Sequence, residues 1–193
     1  MCPATASRLP TEPAPASSSP SAPLEVEARR ADDPRWVGTL EEIFIAEAAG
    51  VEMHALAEAR LIEGVGIEGD RYATHRGHYS HMWHPDRQVT LIAREVIDAI
   101  ASEGIDLRPV ETRRNLVTIG VPLNELVGST FAVGEVILFA GRLNVPCRYL
   151  ERLIDKAVFE PLIDRSGLNC QIVRGGFIRP GDAIVPLQNT ALP

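Results

Sequence analysis

Cysteine is scarce in this chain: Cys2, Cys147 and Cys170 are the only three among 193 residues. That is too few for a disulfide framework and favours a reducing compartment. Positive charge is not in excess either, since 19 Lys and Arg against 26 Asp and Glu give a formal net charge of -7. Broad electrostatic binding to nucleic acid or anionic membranes needs a surplus of cations, so only a local basic pocket remains open. No apolar run approaches the roughly 20 residues that cross a bilayer. A secretory leader is not expected either, because Pro10, Pro13, Pro15 and Pro20 interrupt the place of its apolar stretch. Arg29-Arg30 is followed by Ala-Asp-Asp-Pro, which does not suit twin-arginine export. The expected location is therefore the cytoplasm, with neither nucleic acid nor membrane as partner; the oligomeric state is left open.

What is present divides at the N-terminus. Pro, Ala, Ser and Thr fill 18 of the first 23 positions, a composition that cannot bury enough surface to offset its ordering entropy. Residues 1–35 are expected to form a disordered tail and 36–193 a single domain. Beyond Trp36 the chain runs in short Val, Ile, Leu and Thr-rich segments punctuated by Gly and Pro. Strands are predicted at Val37–Ile45, His54–Ile62, Gln88–Ile92, Asn115–Ile119, Thr130–Val133, Val136–Ala140, Cys170–Val173 and Ala183–Val185. Helical spacing is confined to Arg94–Ser102, Arg148–Ile154 and Val158–Asp164. The fold class is mainly β (α+β), a sheet or barrel decorated by short helices.

Several segments carry candidate chemistry. Gly66-Ile-Glu-Gly-Asp-Arg-Tyr72 permits a tight turn, with Asp70 and Arg71 either bracing it or offering an anion contact. His75, His78, His81 and His84 recur every three residues, but Gly77 and Pro85 break any continuous helix and no Cys or carboxylate is interleaved among them, so a loop is favoured over a metal site. Arg113-Arg114-Asn115 precedes a strand, where two guanidiniums and an amide would grip a phosphate or oxyanion; the alternative is a solvated strand end paired to Glu111. Cys147 follows Pro146, precedes a predicted helix and has Arg142 and Arg148 nearby, a setting that favours the thiolate, the form that attacks sulfur or binds a soft metal. The alternative is an inert packed thiol, the role expected of Cys170. Arg165 and Arg174 are possible anion contacts near the glycine turns, and as turn anchors they read as structural.

In this order, Gly66-Ile-Glu-Gly-Asp-Arg-Tyr72, Gly77-His-Tyr-Ser80, Gln88-Val-Thr-Leu-Ile92, Arg113-Arg-Asn-Leu-Val-Thr-Ile-Gly120, Leu126-Val-Gly128, Pro146-Cys147 and the closing Gly-Gly and Gly-Asp turns resemble the MOSC family. That domain is named from the C-terminal part of molybdenum-cofactor sulfurases and also occurs as stand-alone bacterial proteins. The resemblance covers about residues 37 to 187. It implies a closed β-barrel-like core with short flanking helices and a pocket for the pterin-based molybdenum cofactor, molybdopterin. Cys147 maps onto the family's molybdenum ligand or sulfur-transfer residue. Arg113, Arg114 and Asn115 map onto its cofactor grip, and Arg71, Asn144 and Arg174 are further candidate contacts.

Pyridoxal phosphate enters only through the family's association with full-length sulfurases, whose aminotransferase-like domain this chain is expected to lack. The N-terminal β domain of the mitochondrial amidoxime-reducing relatives is expected to be missing as well. The His81–Asp86 stretch departs from the family pattern. Two functions are implied. One is a molybdenum-dependent reductase of small N-hydroxylated compounds fed by a separate electron donor protein. The other is a sulfur carrier using a Cys147 persulfide, supplied by a sulfur donor and without turnover of its own.

Overall fold

A computed structural model describes residues 36–187. Residues 1–35, where the disordered tail is expected, and residues 188–193 lie outside the described residues. The strands are β1 (Gly38–Ile45), β2 (His54–Ala55), β3 (Ala59–Ile62), β4 (Gly66–Ile67), β5 (Val89–Ala93), β6 (Leu116–Ile119), β7 (Thr130–Val133), β8 (Val136–Leu143), β9 (Leu168–Arg174), β10 (Gly176–Ile178) and β11 (Ala183–Pro186). Two helices, α1 (Arg94–Ser102) and α2 (Arg148–Ile154), accompany them. Seven strands form a closed ring in the order β11-β7-β8-β9-β5-β6-β1, because β1 pairs back onto β11. Closure removes the open edges that would otherwise invite pairing with another chain. The fold is thus the mainly β barrel that the sequence predicts.

Alternation explains how one barrel serves two cores. Leu91 of β5 and Leu116 of β6 point into the barrel with Leu40, Phe131, Leu138 and Ile172, all fully buried. Ile92 and Val117, one residue on, point outward and are buried with Ile97 and Ile100 of α1, Leu150 of α2, and Val158 and Leu162. All five residues of β5 are buried, as a strand covered on both faces requires. Each such aliphatic or aromatic side chain contributes about 1.5–3 kcal/mol on leaving water. The only parallel pair in the ring, β5 with β6, brings the segments before both strands to one end of the barrel.

Three expectations are corrected. The predicted strand His54–Ile62 is two pieces: His54–Ala55 pairs with β1, whereas Ala59–Ile62 belongs to a separate three-stranded sheet, β10-β3-β4. Val158–Asp164 is a succession of turns and not a helix; Pro161 has no N–H to donate, and Asp164 stands at φ 58. The Gly175–Gly176 turn opens directly into β10, a strand absent from the sequence prediction. No described helix is long and apolar enough to cross a membrane.

Candidate functional site

A cleft of about 380 Å³ opens at the barrel end where the Arg71–Arg87 segment, the Arg113–Arg114 corner and the chain after β8 converge. Arg71, Arg87, Arg113, Arg114 and Arg142 line it, and no Asp or Glu among the described residues does. In a chain of net charge -7 this concentrates positive potential in one concave place. The corner is built by backbone geometry. Arg113 caps a short 3-10 turn, Pro109–Thr112, in the left-handed conformation at φ 62. Such a conformation costs a non-glycine residue about 1–2 kcal/mol and is tolerated where surrounding contacts enforce it.

Most of these guanidiniums are fixed from behind. Arg71 donates from Nη1 to Asp70 Oδ1 at 3.1 Å and from Nη2 to the Arg113 carbonyl at 2.9 Å. Arg114, 8% exposed, donates from Nε to the Ser166 carbonyl at 3.0 Å, from Nη2 to Ser166 Oγ at 2.6 Å and from Nη1 to the Thr112 carbonyl at 3.0 Å. Burial pulls Arg114 down to about 10, so it remains a cation at neutral pH. Burial also lowers Arg113, with the neighbouring Arg71 charge acting the same way. Arg142 pairs with Asp86 at 3.0 Å. Arg87 lies 5.5 Å over the Tyr79 ring, with its Nε buried and without a partner.

Cys147 is a free, half-buried thiol at the cleft wall. It precedes α2, and its side chain makes no capping hydrogen bond. That helix has only seven residues, so the polarity around the sulfur comes chiefly from the arginines. Tyr79 stands beside it: burial, and then the hydrogen bond and charge of Cys147, push the phenol up to about 12. His78 stacks on Tyr149 at 3.8 Å with 4° between the rings and meets Tyr79 edge-on at 4.7 Å. Aromatic rings therefore face the same cleft as the guanidiniums.

The residues singled out from the sequence separate into two groups. Arg71, Arg113, Arg114, Asn144 and Cys147 come together in the cleft. Asn115 does not line it: only 1% exposed, it accepts from Thr90 N and Oγ1 and donates to the Phe44 carbonyl and Asp70 Oδ1, joining β5, β6, β1 and the Asp70 turn. Arg174 is exposed and donates twice to the Glu135 carbonyl, while Arg165 pairs with Glu103; neither reaches the cleft. Glu111 pairs with Lys156 and Arg108 and not with the Arg113–Arg114 corner. The histidines do not converge: His78 lines the cleft, His84 contacts Asp86, and His75 is exposed at φ 57. Among the described residues no group of three or more His, Cys, Asp or Glu is arranged to hold a metal ion by itself.

Sequence reasoning missed Arg87, Tyr79, Tyr149 and Asn169, and named Arg142 only as a cation near Cys147. Arg87 carried a usable signal, since it stands two residues before β5 as Arg114 stands two before the parallel β6.

Residues 78–185 match the MOSC domain model, more than half of the chain. The chain belongs to the MOSC domain family. No curated protein sequence matches it. Among solved structures, the YuaD protein from Bacillus subtilis aligns with a TM-score of 0.68 at 21% identity, covering 80% of this chain and 100% of that one. YiiM from Geobacillus stearothermophilus aligns with a TM-score of 0.61 at 14% identity, covering 79% of this chain and 75% of that one. YiiM from Escherichia coli gives 0.57 at 18%, covering 79% and 71%. At these identities the likeness shows a shared MOSC fold.

MOSC domains are associated with the molybdenum cofactor, and the donor set here fits such a group. A pterin phosphate is a dianion that suits clustered guanidiniums, and molybdenum prefers soft sulfur ligands. A metal brought in by its own organic ligand needs few protein ligands, which agrees with a lone thiol in place of a multidentate cluster.

Proposed function

We propose that this MOSC protein binds the molybdenum cofactor in the Arg-lined cleft and serves as a reductase of small N-hydroxylated compounds. The observation behind the reading is the convergence of five arginines on one free thiol, with no carboxylate among the described residues of the wall. Arg71, Arg113 and Arg114 would hold the cofactor's phosphate and pterin, Asn144 would supply an amide contact, and Cys147 would be the molybdenum ligand. When bound, the cofactor supplies two-electron redox chemistry.

The chain's own residues supply the rest. Tyr79 keeps its proton throughout the neutral range, because its pKa stands near 12, and it presents that proton beside the Cys147 sulfur. His78 and Tyr149 form a stacked aromatic wall able to pack a flat substrate and exclude water. Reduction of an N–OH group consumes two electrons and two protons and releases water, so a separate flavin or iron–sulfur protein must deliver the electrons. A free thiol as working residue suits the cytoplasm.

The test uses full-length protein from a cofactor-producing host, reduced with methyl viologen and supplied with benzamidoxime. Formation of benzamidine, abolished by Cys147→Ala, supports the reductase. Molybdenum-loaded protein that forms none, yet gains one sulfur on Cys147 after incubation with a cysteine desulfurase, would replace the reductase by a sulfur carrier.

A further inference from the structure

Asp86 is a buried carboxylate that the reading above does not use. Its side chain is 4% exposed, and neither oxygen has a well-aligned hydrogen bond although a guanidinium and an imidazole lie close. Arg142 Nη1 stands 3.0 Å from Oδ1 and His84 Nδ1 stands 2.7 Å from the same oxygen. The thiol of Cys170, in the barrel core, is pushed up first by burial and then by the nearby Asp86 charge. A carboxylate in such a place is costly unless a cation answers it.

The backbone around Asp86 is shaped to admit it. Ala140 pairs with Cys170 and Arg142 with Asn169, so Gly141 is an extra residue on β8, a β-bulge. Strict alternation would send residue 142 to the same face as Leu138 and Ala140, into the barrel. The bulge turns Arg142 instead to the cleft, where Asn169 also lies. Gly141 is needed for the carboxylate as well, because a Cβ there would come 2.5 Å from Asp86 Cβ and 2.6 Å from Oδ2. The absent side chain and the buried acid occupy one space.

We propose that Asp86, seated against the Gly141 bulge, is the positioning residue that holds the Arg142 guanidinium in the cleft for an anionic ligand. This rests on the anion-binding part of the proposed function and not on its redox chemistry. Arg142 is 35% exposed, so without Asp86 it would turn out to water. Its Nη1 is directed to Asp86, which leaves its other N–H groups for the ligand. Asp86 also subtracts one positive charge from the cleft. If charge were its whole role, removing it would tighten anion binding; as a positioning residue, its removal loosens binding. The two accounts differ in sign.

The experiment titrates inorganic pyrophosphate by calorimetry into full-length protein made in a host without molybdopterin. Arg142→Gln should weaken binding roughly tenfold or more, as loss of a charge-assisted hydrogen bond does. Asp86→Asn should weaken it roughly three- to tenfold despite the added net positive charge, and Asp86→Asn with Arg142→Gln should bind about as Arg142→Gln does, because no guanidinium is left to position. Tighter or unchanged binding in Asp86→Asn, or a double variant that binds a further tenfold more weakly than Arg142→Gln, overturns the proposal. Should Asp86→Asn fail to fold, Asp86→Ala and its Arg142→Gln double carry the same comparison. If wild type binds no pyrophosphate, the anion reading of the cleft fails and this proposal fails with it; if wild type binds and only the Asp86 prediction fails, the anion reading stands.

Discussion

Arg114 and Ser166 are joined twice, by Nε to the Ser166 carbonyl at 3.0 Å and by Nη2 to Ser166 Oγ at 2.6 Å. With the bond from Nη1 to the Thr112 carbonyl, every guanidinium nitrogen of Arg114 has a protein acceptor. The side chain therefore ties the corner before β6 to the segment before β9 as well as lining the cleft. Sequence alone suggests a removable grip, whose loss would spare the fold. The structure predicts otherwise: Arg114→Ala should lower stability by about 2–4 kcal/mol in urea denaturation, because Ser166, 1% exposed, loses its donors inside the protein. A melt unchanged from wild type would show that Arg114 serves the ligand only.

Asn115 and Arg174 give a matched pair. Asn115→Ala removes four side-chain hydrogen bonds from a buried network and should cost about 3 kcal/mol of stability. Arg174→Ala deletes an exposed contact to the Glu135 carbonyl and should move stability by less than about 0.5 kcal/mol, with cofactor content unchanged. Loss of cofactor on Arg174→Ala would return Arg174 to the binding site.

Tyr79 makes a prediction about pH. Its folded pKa near 12 lies above the ordinary tyrosine value of 10.0, so the folded state keeps a proton that the unfolded chain releases. The stability this contributes is fully present below pH 10.0 and is lost as pH rises toward 12. Wild type should thus lose stability faster than Tyr79→Phe across that window. The phenolate absorbance difference between the two proteins should develop only toward its upper end. An absorbance difference complete near pH 10 would remove the proton-holding role assigned to Tyr79.

Cys170 should behave as core. It is fully buried within the barrel, and burial drives its thiol pKa up, so it stays neutral. Cys170→Ala should cost about 1 kcal/mol and leave molybdenum content as in wild type. A parallel loss of molybdenum would show that the barrel interior communicates with the site.

The barrel was legible because its strands are dense in Val, Ile, Leu and Thr and because α1 places Ile97 and Ile100 on one face. The false third helix shows the limit of periodicity, since Val158 and Leu162 are buried but from a succession of turns that Pro161 and Asp164 interrupt. Within the site, Cys147 and the Arg113–Arg114 corner were readable from local sequence. Asn115 was misplaced because an amide at a strand start looks the same whether it faces a ligand or braces three strands. Arg142 was readable only as a cation near Cys147 in the chain: its direction into the cleft depends on the Gly141 bulge, a property of the β8–β9 register.

The central claim, that Cys147 holds molybdenum within the arginine-lined cleft, is tested most directly by metal analysis of wild type and Cys147→Ala purified side by side from a cofactor-producing host. The account predicts about one molybdenum per chain in wild type and little in the variant, because the cleft offers one soft sulfur ligand. Equal molybdenum in the two proteins, whether both loaded or both empty, would contradict it.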